Sequence, residues 1–183
     1  INWSWDLLTE SEHTLMRQLA VFSGGWTLGA ALAICDGDVM GLTSSLVRKS
    51  LIGMNQEVRR ETRYEFHEVI RQYAREKLKT LDEDDRAREA HARWCLELAE
   101  RAEPNLRKHG QVEWLDRLEA EHDNFRAALD WSLKNHKAET AMRLAGALSE
   151  FWKMRAFAKE GVKWLESALQ ESEAESIPAN VRA

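Results

Sequence analysis

The sequence predicts a mainly α-helical chain in two parts, with three helices and a small β-hairpin over residues 1–81 and an array of helical hairpins over residues 82–183. Three observations carry that prediction. Apolar residues recur at helical spacing through most of the chain. Strand-like runs occur at only two places, Leu51-Ile52-Gly53-Met54 and Arg63-Tyr64-Glu65-Phe66. Beyond Leu81 the helical pattern continues without another such run.

The first part opens on a short helical lead-in, Trp5 to Leu8. Thr9 and Glu12 then stand three apart, the spacing of a capping box in which each side chain satisfies a free backbone N–H of the first turn. Leu15, Met16, Leu19 and Phe22 form the apolar stripe of this helix, and Gly24-Gly25 are expected to end it. A second helix starts after Thr27 and carries Leu28, Ala31, Leu32 and Cys35, and Asp36-Gly37-Asp38 closes it. A third is expected over Val39–Lys49. Asn55 to Thr62 read as a loop between the two strands, and from Val69 onward Val69, Ile70, Tyr73, Ala74 and Leu78 return to helical spacing.

In the second part, Asp82 to Asp85 place acids at a helix start, and Ala87, His91, Trp94, Cys95, Leu98 and Ala102 mark its buried side before Pro104. Trp114, Leu115 and Leu118 form the next turn set, which Phe125, Ala128, Leu129 and Ser132 continue past a break expected at Glu121–Asn124. The last pair carries Ala141, Leu144, Ala145, Leu148 and Trp152, then Gly161, Trp164, Leu165, Ala168 and Leu169. Trp152, Gly161, Leu165 and Ala168 approach the large-small alternation of a tetratricopeptide hairpin. One hairpin cannot bury both faces, so a longer array beyond Ala183 is expected.

Composition narrows the function classes. The chain has 183 residues, 44% hydrophobic and 31% charged, an ordinary globular mix with room for one large domain or two small ones. Of its net charge of −5, none arises in residues 1–81, where 10 Lys/Arg balance 10 Asp/Glu, so a dominant polyanion partner is not indicated. Cys35 and Cys95 lack CxxC spacing, which points to free thiols in a reducing, cytoplasmic setting. No apolar run approaches a membrane span, and Ile1-Asn2-Trp3 reads as the start of an internal piece of a longer chain. There is no Gly-x-x-x-x-Gly-Lys-Ser/Thr loop and no catalytic constellation, so no enzyme activity is expected.

Three helices and a hairpin form the winged-helix pattern, in which the third helix commonly enters the major groove of DNA. Here that helix offers hydroxyls, an acid at its start and only Arg48 and Lys49 at its far end, a poor set for reading bases. Arg59, Arg60 and Arg63, on the loop and strand, are the remaining candidates for phosphate or DNA contact. His67 sits where the strand pattern hands over to the helical one and is the foremost candidate residue. His91 and Cys95, four apart on one helix, are weak candidates for metal ligands because both fall on the apolar stripe. The cluster Glu119, Glu121, His122 and Asp123 reads as capping at a helix break. No metal site is expected, and the tryptophans of the helical part are assigned to packing, whereas an exposed Trp152 or Trp164 would indicate a ligand-facing groove.

Trp3-Ser4-Trp5-Asp6-Leu7-Leu8, Leu19 to Thr27, Leu46 to Leu51, Ile70 to Ala74 and Leu118 to Leu129 together resemble the segment that follows the NB-ARC-type nucleotide-binding module in bacterial STAND ATPases and large LuxR-like or SARP-like regulators. Phe66-His67-Glu68 is similar to the Met-His-Asp motif of related winged helices, with an apolar and an acidic residue at its flanks. The resemblance implies an upstream ATPase that binds ADP or ATP, a winged helix docked on it with His67 touching the nucleotide, and downstream helical repeats that sense an inducer or a partner. The segment itself would need no cofactor. On this footing a non-catalytic regulatory and interaction module is the first expectation, and a DNA-binding winged-helix transcription factor with a helical effector or dimerisation domain is the alternative.

Overall fold

The computed structural model describes residues 5–55, 61–80 and 84–176. Two compact units part between His91 and Ala92. The domain boundary expected from the sequence, between residues 81 and 82, lies outside the described residues.

In the first unit, α1 (Glu10–Leu19) begins on Thr9 with both halves of the expected capping box in place. It ends at Leu19 and not at the glycines: Ala20 is the C-cap, and the buried Phe22 lies beyond the helix. Gly25, at φ +75°, instead leads into a short strand β1 (Trp26–Thr27), which the sequence pattern does not predict because two residues cannot display an alternation. Thr27 then caps α2 (Leu28–Ile34), its hydroxyl accepting from the Ala30 N–H at 3.1 Å. α3 (Val39–Arg48) follows, then β2 (Ile52–Asn55), β3 (Arg63–Phe66) and α4 (Glu68–Thr80). The hairpin is thus part of a three-stranded antiparallel sheet of order β1-β3-β2, with Trp26 opposite Tyr64 on one side of β3 and Met54 opposite Tyr64 on the other.

The core of this unit gathers Leu15, Met16, Leu19, Phe22, Trp26, Leu46 and Leu78, all almost fully buried. Apolar stripes of three helices are thereby removed from water, each large side chain contributing about 1.5–3 kcal/mol. Arg75 on α4 reaches the end of α1, its Nε donating to the Ala20 carbonyl at 2.7 Å and its Nη2 to Ser23 Oγ at 3.1 Å, so orphan polar groups of the helix end are satisfied by a side chain.

The unit boundary falls within the long helix α5 (Asp84–Ala102). In the second unit a 3₁₀ turn (Glu103–Asn105) and α6 (Gln111–Ala120) precede α7 (His122–Lys134), α8 (Ala138–Met154) and α9 (Ala158–Ser176). The expected break between α6 and α7 is confined to Glu121, and His122, Asp123 and Asn124 already form the first turn of α7. α7 and α8 both end with a left-handed residue, His136 and Ala156, followed by a closing bond from Lys137 N to Ser132 O and from Phe157 N to Trp152 O, each 2.8 Å. This is a Schellman-type stop reached without glycine. The same closure ends α3, where Ser50 is left-handed and Leu51 N donates to Leu46 O.

Packing of α8 against α9 depends on one small residue. A Cβ added at Gly161 would lie 2.6 Å from Cε3 of Trp152, so only glycine lets the indole lie flat against the α9 backbone. Among the described residues, no helix is long and apolar enough to cross a membrane.

Candidate functional site

The third helix of the first unit turns Val39, Thr43 and Leu46 inward and leaves Met40, Gly41, Ser44 and Arg48 exposed. Its N-terminus is capped by Asp38, whose Oδ1 accepts from the Gly41 N–H at 3.0 Å. A side chain at position 41 would collide with that carboxylate, since a Cβ there would lie 2.2 Å from Asp38 Oδ2. Ser44 donates its hydroxyl to the Met40 carbonyl at 2.9 Å. The outward face is therefore short and sparsely polar, with Arg48 its exposed cation.

What sets the pose of α3 is a carboxylate from α1. Glu12 is 3% exposed, and its two oxygens receive the Thr9 N–H at 2.8 Å, the Ser45 hydroxyl at 2.8 Å and the Lys49 ammonium at 2.7 and 2.8 Å. Burial by itself would raise the carboxyl pKa. The Lys49, Thr9 and Ser45 donors outweigh it and hold Glu12 down at about 2. One side chain thus closes the start of α1 and ties down the end of α3.

Two of the residues expected to contact phosphate have partners within the chain. Lys49 is engaged by Glu12 and is not a free cation on the surface. Arg63 turns its Nη2 to the Gly24 carbonyl at 2.9 Å and the Gly25 carbonyl at 3.2 Å, so its guanidinium braces the entry to β1. Arg48 is exposed as expected, and Arg59 and Arg60 lie outside the described residues. His67 is exposed immediately before α4. Its carbonyl accepts the N–H groups of Ile70 and Arg71 at 2.9 and 3.0 Å, and its ring makes no hydrogen bond among the described residues.

Other residues singled out by the sequence resolve as interior structure. His91 is buried with its ring edge-on to Phe22 at 5.0 Å. Cys95 is buried in the second unit, where its thiol lies 3.7 Å from the Asn124 carbonyl and burial pushes its pKa well up. Burial likewise pushes Cys35 up to about 12, which disfavours the thiolate at both cysteines. Among the described residues no group of three or more His, Cys, Asp or Glu is placed to hold a metal ion.

The cluster at the α6–α7 break is drawn into a network that sequence reasoning missed. Arg126 grips Glu160 through two bonds of 2.6 Å, and Glu160 in turn accepts from Trp164 Nε1 at 3.2 Å, which holds its carboxyl down at about 2. Beside this pair the indole N–H of Trp152 donates to His122 Nε2 at 3.3 Å, and burial together with the Arg126 charge lowers the His122 pKa. Glu121 is buried and accepts from Asn124 Nδ2 at 2.6 Å. Arg126 and Glu160 are 34 residues apart, and no local spacing foretells their meeting. Trp152 is 1% exposed and Trp164 is half-buried over its own helix, so both serve packing.

Residues 8–79 match the family model described as a winged helix-turn-helix domain. The first unit has the winged-helix fold. Over 181 residues, 93% of the chain is 36% identical to the protein named "Putative HTH-type transcriptional regulator Rv0890c" of Mycobacterium tuberculosis and to its counterpart "Putative HTH-type transcriptional regulator Mb0914c" of Mycobacterium bovis. A separate alignment of 92 residues, covering 46% of the chain, is 34% identical to "Uncharacterized protein Rv0894" of Mycobacterium tuberculosis and covers 23% of that protein. The chain spans about 20% of the length of the regulators it matches. No solved structure shows a significant match.

Proposed function

We propose that this chain is the winged-helix and helical segment of a transcriptional regulator, with α3 as the element that meets DNA and the helical unit as an interaction surface. The observation that carries the reading is the winged helix-turn-helix domain over residues 8–79, in a chain similar to proteins named as HTH-type transcriptional regulators. In such domains the third helix lies in the major groove and phosphate contacts fix its register. The exposed face Met40, Gly41, Ser44 and Arg48 suits a low-specificity contact, in which Arg48 neutralises a phosphate and Met40 offers apolar surface. The reading is non-catalytic, assigns the segment no cofactor of its own and gives no role to a membrane.

The test is duplex binding by the intact protein, followed by fluorescence anisotropy over a salt series. Each phosphate neutralised adds about −0.9 to the slope of log K against log salt, so Arg48→Ala is expected to flatten the slope by about that amount and weaken binding. A wild-type protein that binds no duplex at about 50 mM salt, where such contacts are strongest, would overturn the reading.

A second reading is favoured by a separate observation, the exposed ring of His67 at the start of α4. In it the winged helix docks on a nucleotide-binding module of the NB-ARC type elsewhere in the same polypeptide, His67 holds the ADP-bound off state, and tetratricopeptide-like repeats relay an inducer. One histidine bond to a charged phosphate contributes about 1.5–3 kcal/mol, so His67→Ala in the intact protein would speed ADP release by roughly 10–100-fold. An unchanged release rate would remove the latch and leave the DNA reading standing.

A further inference from the structure

The end of α3 carries two adjacent cations with different fates. Arg48 is exposed, while the ammonium of Lys49 lies within 2.8 Å of both oxygens of a carboxylate that is 3% exposed. Lys49 itself remains 38% exposed at its side chain, on the same helix end as Arg48, so it borders the surface without offering its charge. For Lys49 to neutralise a phosphate it would have to abandon Glu12, leaving a buried carboxylate with neutral donors alone, the Thr9 N–H, the Thr9 hydroxyl and the Ser45 hydroxyl. An uncompensated buried charge is strongly unfavourable, whereas a surface lysine–phosphate contact is modest and screened by salt. The internal carboxylate wins that competition.

We infer that Glu12 is a positioning residue that holds Lys49 off the DNA backbone and fixes the angle of α3, so that the duplex meets this end of the helix through Arg48 alone. The inference rests on the DNA-contact reading of α3 and deepens it. Glu12 acts as internal competition against phosphate: it lowers affinity for DNA of any sequence, because the charge it neutralises would otherwise add to backbone binding common to all duplexes. Ser45, bonded to the same carboxylate, completes the hold on α3.

The test compares wild type, Glu12→Gln, Lys49→Ala, Arg48→Ala and Glu12→Gln/Lys49→Ala in the intact protein, with a random-sequence duplex as the probe. Glu12→Gln keeps the shape and an oxygen to accept the Thr9 N–H, its NH2 can donate to Ser45 Oγ, and the ammonium is released. Its duplex affinity is expected to rise about three- to tenfold at low salt, with a slope steeper by about 0.9, and the added Lys49→Ala change should erase both gains. A role in folding alone would only lower affinity. Lys49→Ala in the wild-type background strands the Glu12 carboxylate and is read on folded protein, where it is expected to leave the slope unchanged; the wild-type acetylation readout stands even if neither variant folds. Acetylation with a succinimidyl ester, mapped by mass spectrometry, gives a readout without DNA: Lys49 should react more slowly than the exposed Lys79 in wild type and as fast as Lys79 in folded Glu12→Gln. A Lys49→Ala variant that flattens the slope as much as Arg48→Ala, or a folded Glu12→Gln protein that binds no tighter, overturns the inference while sparing the DNA reading. Absence of any duplex binding in wild type overturns both.

Discussion

Each unit contains a carboxylate held down at about 2, and the two are held by different means. In residues 5–91, Glu12 is buried at a helix start and takes donors from three places, a backbone amide, a hydroxyl and an ammonium, and so anchors α1 to α3. In residues 92–176, Glu160 is partly exposed, is gripped by a single guanidinium from α7, and borders a seam that apolar packing has already closed around Trp152 and Gly161. Charge sets the geometry in the first unit, whereas in the second it trims the edge of a geometry set by shape. In the winged helix a multiply bonded carboxylate adds a fixed point between α1 and α3 to the core they share through Leu15, Met16, Leu19 and Leu46, whereas the longer seam of the helical hairpin is fixed by interdigitation.

The largest expected effect breaks the second unit. Trp152→Ala removes a fully buried indole and should cost about 3–5 kcal/mol in chemical denaturation. Gly161→Ala, which drives a methyl into the same ring, should cost about 1–3 kcal/mol by overpacking. If Gly161→Ala proved neutral, close packing would not be what fixes the α8–α9 seam.

Next in size is Glu12. Its folded pKa of about 2 lies below an unfolded value near 4.3, so the ionised form is favoured by the fold and its stabilisation is present above about pH 5 and lost as pH falls toward 2. The shift corresponds to about 3 kcal/mol, and Glu12→Gln should therefore destabilise the first unit by about 2–3 kcal/mol at pH 7 and by far less at pH 2.5. A penalty independent of pH would mean that shape and not charge anchors α3.

Acidification sharpens the contrast further. The His122 pKa is lowered in the fold, so as pH drops through about 6.5 the unfolded chain takes up a proton that the folded chain resists. The second unit should begin to lose stability between about pH 6.5 and 5.5, where the Glu12 anchor is still fully ionised. Amide hydrogen exchange followed by unit would separate the two, and His122→Gln should abolish the early loss. Smaller effects follow elsewhere: Thr27→Ala should cost about 1 kcal/mol through loss of the buried α2 cap, and Arg143→Ala, which is half exposed and pairs with the partly exposed Glu100 and the exposed Glu139, should leave the unfolding midpoint nearly unmoved.

The same contrast explains what was legible in the sequence. The Thr9–Glu12 capping box could be read because its partners are three residues apart, as could the stripe of α8; in α4 and α9 the helical spacing reaches too far, since Val69 and Leu169 are 61% and 51% exposed. The second duty of Glu12 could not, because Ser45 and Lys49 lie 33 and 37 residues away and nothing local marks them as its partners. For the same reason Lys49 and Arg63 looked like free surface cations, when one is held by a carboxylate and the other by two backbone carbonyls. β1 escaped notice since its pairing with Tyr64 and Arg63 exists only in three dimensions, and α1 stops before Gly24 because Ala20 and Arg75 close it first. His67 and Arg48 are both exposed, His67 just before α4 and Arg48 at the end of α3.

The most direct test of the central claim, that α3 is the DNA-facing element of a regulator, is amide hydrogen exchange of the intact protein with and without a duplex at low salt. Added protection should concentrate over Val39–Arg48 and leave α8 and α9 unchanged. Duplex binding that leaves α3 exchange unaltered, or protects the helical unit instead, would contradict it.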